Sequence, residues 1–175
     1  TTKEALQKEK ETIELSQGQS KQSYTQEQCK KLLGDTSLSK GQKEAVSLIL
    51  TSKDRVNCIQ GYAGTGKTFM LDNARKLLEA KGQSFIGLAP SSSAAATLRT
   101  QAKIQSQTLH KFLFKYKGLL EGRGTIEGRK TMQSELKNKV IVLDEASLAA
   151  TTHLHSLMKI SKELDVKVVL IGDVK

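Results

Sequence analysis

Short apolar runs alternate along this chain with segments whose apolar residues recur every three to four positions, which predicts strands and helices in turn. Arg55-Val-Asn-Cys-Ile-Gln60 reads as a buried strand. Thr68 to Lys81 reads as a helix, apolar at 70, 71, 74, 77 and 78 and closed by Gly82. Ser84 to Ala89 predicts a second strand, followed by Pro90-Ser-Ser-Ser and an alanine-rich helix to about Arg99. Another helix is expected over Thr108 to Phe114. Lys139 to Leu143 holds the continuous apolar run Val-Ile-Val-Leu, the mark of a central parallel strand. Thr151 to Leu164 is helical, with Leu154, Leu157, Met158 and Leu164 on one face, and Val166 to Ile171 is the last strand.

Upstream of the first strand the pattern weakens. Residues 1–24 are rich in Gln, Lys and Glu, with Leu6, Ile13 and Leu15 as the few core candidates, and a helix docked on a surface outside this chain is expected there. Thr25-x-x-Gln28 resembles a capping box opening a short helix that ends at Gly34. Ser39-Lys-Gly-Gln42 is a second match, opening a helix to about Thr51 with Ala45, Val46, Ile49 and Leu50 inward. Gly118, Gly122, Gly124 and Gly128 stand among charges in residues 117–134, which predicts a mobile surface excursion.

A length of 175 residues suits one domain with a substantial core. Alternating strands and helices place it in the α/β class with a mainly parallel sheet. No stretch is apolar enough to span a bilayer and no secretory pattern opens the chain, so a cytoplasmic location is expected. Cys29 falls on a helix and Cys58 on the first strand, which favours two reduced thiols over a disulfide. The 28 Lys and Arg outweigh the 18 Asp and Glu to give +10, a balance that suits a polyanion such as nucleic acid. The lysines are spread along the chain, so charge supports that partner without establishing it.

The residues Gly61, Tyr62, Ala63, Gly64, Thr65, Gly66, Lys67 and Thr68 fit the phosphate-binding pattern G-x-x-x-x-G-K-[ST] without a mismatch. The glycines let backbone N–H groups converge on a phosphate. Lys67 is placed to reach the β- and γ-phosphates, and the Thr68 hydroxyl to help hold Mg²⁺. A strand before the loop and a helix after it aim a helix N-terminus at the anion. A bare connecting turn would have no use for the Lys-Thr pair at its end.

The second half of this chemistry lies in Val140-Ile-Val-Leu-Asp144-Glu145-Ala146-Ser147. An apolar strand ending in two carboxylates puts Asp144 at the same sheet edge as the phosphate loop. There Asp144 can hold Mg²⁺ through a water, and Glu145 can orient and deprotonate the water that attacks the γ-phosphorus. The last strand ends in Gly172-Asp173, where a polar turn beside the loop could sense the γ-phosphate, although Gly-Asp alone is an ordinary turn.

Together the phosphate loop, Asp-Glu-Ala-Ser and the terminal Gly-Asp segment resemble the first RecA-like motor domain of superfamily 1 helicases of the RecD-like branch. The likeness covers about residues 37–175 and is densest from Ser39 to Thr68, where Lys-Gly-Gln42-Lys-Glu-Ala, Asp54-Arg55 and Ile59-Gln-Gly-Tyr-Ala-Gly-Thr-Gly-Lys-Thr stand in family order. That wording is similar to the conjugative relaxase-helicases of plasmid transfer (the TraI/TraA type). The resemblance implies a three-layer RecA-like P-loop NTPase fold over 37–175, with 1–36 as an N-terminal helical extension. It implies ATP and Mg²⁺ as cofactors, with Gln42 reading adenine and Asp173 close to the nucleotide. Leu88-Ala-Pro90-Ser91-Ser92-Ser-Ala-Ala is similar to the segment that lies against single-stranded DNA, and Thr108-Leu-His110-Lys-Phe112-Leu to the next such segment. Hydroxyls and backbone N–H groups after a strand suit phosphates, and His110 or Phe112 could supply a stacking face. A Ser-rich loop also suits a helix N-cap, and Phe112 also suits the core. His153 and His155, two apart on a helix, face different sides and do not form a metal pair.

The function so implied is an ATP-driven motor that moves on single-stranded DNA in conjugative transfer, with family likeness pointing 5′ to 3′. Its implied partners are a second motor domain, which would supply an arginine across the cleft, and a relaxase domain. Neither is represented among these residues, so the chain is expected to be monomeric and poorly active by itself. A non-catalytic module that binds single-stranded DNA is the alternative, disfavoured by the intact Lys67, Thr68, Asp144 and Glu145. A small-molecule kinase is disfavoured because no Arg-rich lid is visible and Gln42 has no role there.

Overall fold

Strand by strand, alternate side chains enter two different cores, and this alone dictates helices on both faces of the sheet. The computed structural model describes residues 2–60 and 65–172, with Thr65 described by its backbone alone. Five strands are present among them: β1 (Val56–Gln60), β2 (Ser84–Ala89), β3 (Ser106–Thr108), β4 (Lys139–Leu143) and β5 (Lys167–Gly172). All neighbours are parallel, in the order β1-β5-β4-β2-β3. Val140 and Val142 of β4 join Val169 and Ile171 of β5 in one core, while Ile141, Leu143 and Val168 point into the other. Burial of one such aliphatic side chain is worth roughly 1.5–3 kcal/mol, so the continuous apolar run of β4 makes it the natural centre of the sheet.

The first core is closed by α2 (Gln26–Gly34), α3 (Lys40–Thr51), α4 (Thr65–Glu79) and α5 (Ser92–Gln101). Both expected capping boxes form: Thr25 accepts from the Gln28 N–H and Ser39 from the Gln42 N–H, with the glutamine side chains reaching back. The second core is closed by α6 (Leu109–Lys115) and α9 (Thr151–Leu164). This is the three-layer arrangement of a RecA-like P-loop fold, and every strand expected from the sequence is present.

Four features differ from the sequence reading. Residues 117–134 are not an irregular excursion, because α7 (Lys117–Leu120) and α8 (Ile126–Leu136) occupy them. Thr125 caps α8 by accepting from the Gly128 N–H at 3.0 Å, and Met132 and Leu136 pack against the second core. Tertiary packing thus overrides the low helix propensity of the glycines. The short edge strand β3 was not expected, since a three-residue polar segment has no period to read. Cys58 is exposed, on the edge strand β1; both cysteines are free thiols, as expected.

The fourth difference concerns α1 (Thr2–Ser16), which packs along α9 of this same chain instead of a surface elsewhere. Buried Arg55 holds it there. Its guanidinium donates to the Leu15 carbonyl at 2.5 Å, the Gln17 carbonyl at 2.6 Å and the Ser161 hydroxyl of α9 at 2.7 Å. Gly18, at φ +138°, lets the chain pass over this side chain, where an added Cβ would come within 3.2 Å of the guanidinium. Glu11 meets His155 at 3.1 Å farther along the same helix pair. Among the described residues no helix is long and apolar enough to cross a membrane.

Candidate functional site

In a parallel sheet all strands end at one edge, so their order decides which loops become neighbours. Here that edge runs from β1, which leads toward the phosphate loop, through the end of β5 at Gly172, to Asp144 after β4, Pro90 after β2 and Thr108 at the end of β3. Adjacent strands lie about 5 Å apart, so every candidate segment falls within roughly 20 Å. Gly61, Tyr62, Ala63, Gly64 and Asp173 lie outside the described residues, as does the Thr65 side chain.

Gly66, Lys67 and Thr68 occupy the first turn of α4, where the helix dipole favours an anion. Lys67 crosses over the end of β5 and brings its Nζ to 2.8 Å from Asp144 Oδ1. The pair is largely enclosed, with side chains 13% and 6% exposed. Two features set the carboxylate. The Asp144 N–H donates to the Leu88 carbonyl at 2.9 Å, extending the β4–β2 ladder by one residue. The Glu145 N–H then donates to Asp144 Oδ1 at 2.8 Å. That last contact accompanies a sharp turn, because Glu145 adopts φ 52° and ψ 42°. A left-handed conformation is costly for a non-glycine residue and clusters at functional sites. It leaves Glu145 half-buried beside Asp144.

Gln42 is tied to this site by its amide. Its Oε1 accepts from the Ser39 N–H at 2.8 Å and its Nε2 donates to the Gly66 carbonyl at 3.0 Å. A Cβ at residue 66 would stand 3.1 Å from that Nε2, so glycine there permits the link. The periodicity of the sequence contained no sign of this bond between the start of α3 and the start of α4.

Pro90, Ser91 and Ser92 follow β2, and Ala89 pairs with Thr108, so the two segments expected at single-stranded DNA are brought side by side. Ser91 caps α5 by accepting from the Ala94 N–H, and Thr108 caps α6 by accepting from the Lys111 N–H, both at 3.2 Å. Ser92 and His110 are exposed, whereas Phe112 is buried in the second core and offers no stacking face. His110 lies 6.1 Å, ring to ring, from His153, while His155 turns to Glu11, in line with the two histidines of α9 facing different sides. Among the described residues no three His, Cys, Asp or Glu side chains form a metal cluster.

With this geometry established, comparison with known families is informative. The profile of the AAA domain family AAA_30 matches residues 37–175. The chain belongs to this AAA domain family, which is the RecD-like helicase family. Among relatives of this AAA domain, a probable conjugal transfer protein TraA of Sinorhizobium fredii is 30% identical over 137 residues, 78% of the chain and 11% of that protein. The multifunctional conjugation protein TraI of Escherichia coli K12 is 30% identical over 121 residues, 67% of the chain and 6% of its own length. The chain therefore spans a small part of these relatives, and what it shares with them is a helicase-like motor domain.

Proposed function

We propose that this AAA domain binds Mg-ATP at the β1–β5–β4 part of the edge and single-stranded DNA at the β2–β3 part, as the first of two motor domains in a conjugative DNA helicase. The observation that carries the reading is the Lys67–Asp144 contact, which joins the two halves of a phosphate-handling motif across an intervening strand. The donor set fits the cofactor. A helix N-terminus and an ammonium suit phosphate oxygens, and the combination of a hydroxyl and a carboxylate suits a hard, oxygen-seeking cation.

In this reading Lys67 would hold the β- and γ-phosphate oxygens, and the Thr68 hydroxyl, with Asp144 through a water, would hold Mg²⁺. Mg²⁺ would supply charge neutralisation at the phosphoryl oxygens as the bond to the leaving group breaks. Glu145 orients the attacking water and takes its proton. Gln42 recognises adenine by exchanging its contact with Gly66, and Asp173 would serve to sense the γ-phosphate. Residues 37–175 act as the motor domain and 1–36 as an extension to it. Translocation, directed 5′ to 3′ by family likeness, needs a second motor domain to close on this one and supply an arginine.

ATP turnover by the complete polypeptide, with and without oligo-dT, is the test. DNA-stimulated turnover that disappears with Lys67→Ala is the expected result. Strand binding without turnover would instead establish a non-catalytic binding module. Turnover indifferent to DNA would remove the motor reading altogether.

A further inference from the structure

The face of the domain remote from the nucleotide carries a second feature that the motor reading does not use. A groove of about 350 Å³ starts at Lys111, one residue past His110, and runs along the β3 side of the sheet past Lys115 to Lys139. A second groove of about 700 Å³ takes over at Lys139 and Leu136, which line both, and opens at the opposite edge of the sheet between Lys21, Lys130 and Lys137. The described lining of the two contains only Glu135 and Asp165 as carboxylates, and Glu135 is already engaged by Lys115 at 3.1 Å. Lys139 is directed by the Ser84 hydroxyl at 2.7 Å, while Lys21, Lys111, Lys130 and Lys137 are exposed. Hydroxyl and amide groups from Ser20, Gln133, Ser134 and Asn138 stand between the ammonium groups.

We infer that these two adjoining lysine-lined grooves together form a backbone track for single-stranded DNA, carrying the strand from the Pro90–His110 segments around the β3 edge to the opposite end of the sheet. Lysine ammonium groups interspersed with small hydroxyl and amide donors match a phosphodiester backbone, which needs point charges and hydrogen bonds without base recognition. The groove begins beside the segments already assigned to the strand, which favours that polyanion over an acidic protein segment. The inference rests on the single-strand reading of the sheet edge.

The experiment compares the chain with its Lys21→Gln/Lys130→Gln/Lys137→Gln variant, titrating labelled dT25 across a salt series. Three lost phosphate contacts would lower the slope of log K against log salt by about 2, at roughly 0.7 per contact on a single strand. Affinity at low salt should fall at least tenfold. A Lys3→Gln/Lys8→Gln/Lys10→Gln variant changes net charge equally on α1 and should keep the parent slope. Binding of Mg-ATP by the groove variant reports that its fold is intact. Parent-like slope and affinity in the groove variant would overturn the track while leaving the motor reading in place. Failure of the parent itself to bind dT25 would overturn both. A labelled aspartate-rich peptide held more tightly than dT25, and released by the groove substitutions, would reassign the groove to an acidic protein and overturn the proposal.

Discussion

Lys67 Nζ lies 2.8 Å from Asp144 Oδ1, so the proposed phosphate-binding cation and metal-binding anion are partners of one another in this structure. Each compensates a charge that the cleft would otherwise leave stranded. In the proposed cycle both partners are exchanged together, Lys67 for phosphate oxygens and Asp144 for the cation. Lys67→Ala should therefore weaken Mg-ATP binding and also destabilise the nucleotide-free protein by about 1–3 kcal/mol, the cost of an enclosed carboxylate that loses its charged donor and keeps only the Glu145 N–H. Denaturant melts without nucleotide and a nucleotide titration read the two effects separately. Unchanged stability would show that water replaces the ammonium without penalty.

Glu145 combines a proposed chemical role with a left-handed backbone, and substitution can separate them. Glu145→Gln should retain nucleotide and lose turnover in the complete motor. Glu145→Ala and Glu145→Gly both remove the carboxylate, but only glycine relieves the strain at φ 52°. The glycine variant should be the more stable of the two by about 1 kcal/mol, measured by equilibrium unfolding. An alanine variant of equal stability would mean that the turn relaxes.

Arg55 is the pin between the N-terminal helix and the body of the domain. Arg55→Ala leaves the Leu15 and Gln17 carbonyls and the Ser161 hydroxyl without this donor. A loss on the order of 3 kcal/mol is expected, since hydrogen bonds to charged groups contribute more than neutral ones. Hydrogen exchange should show α1 losing protection first. Gly18→Ala should act in the same direction through the crowding at 3.2 Å. Protection in α1 that survived both changes would assign the docking to its contacts with α9 alone.

Tyr116 gives the protein a signature at alkaline pH. Burial, reinforced by the nearby Glu135 carboxylate, pushes its phenol up to about 12. The folded-state value lies above the ordinary value near 10, so the folded protein holds this proton more tightly than the unfolded chain does. Stability from this group is complete below pH 10 and is lost as pH rises toward 12. Tyr116→Phe should flatten that decline in urea melts taken between pH 9 and 11. It should also remove one late-ionising phenol from an ultraviolet titration.

Much of this architecture was legible locally. Four of the five described strands announced themselves as apolar runs, and α3 and α9 by their period. The capping boxes at Thr25 and Ser39 formed because reciprocal bonds within four residues depend on nothing distant. The position of the Asp144-Glu145 pair at the end of an apolar strand was likewise readable, since it is a residue pattern that follows a continuous apolar run.

Strand order was not readable, and the site depends on it. Only the insertion of β5 between β1 and β4 makes Lys67 reach across a strand to Asp144, and only the β2–β3 pairing sets Pro90 beside Thr108. The glycines of residues 117–134 were misleading for a related reason. Propensity is a weak local preference, and Met132 and Leu136 gain more by packing on the second core than the glycines cost. The amino-acid sequence by itself determined four of the strands, the helices outside residues 117–134, the two capping boxes and the residue patterns at the strand ends, because those follow from short-range periodicity and side-chain hydrogen bonding. The tertiary structure alone decided which ends meet, where Arg55 anchors the first helix, and how scattered lysines line two adjoining grooves, because contacts between distant residues are set by packing and leave no periodic trace.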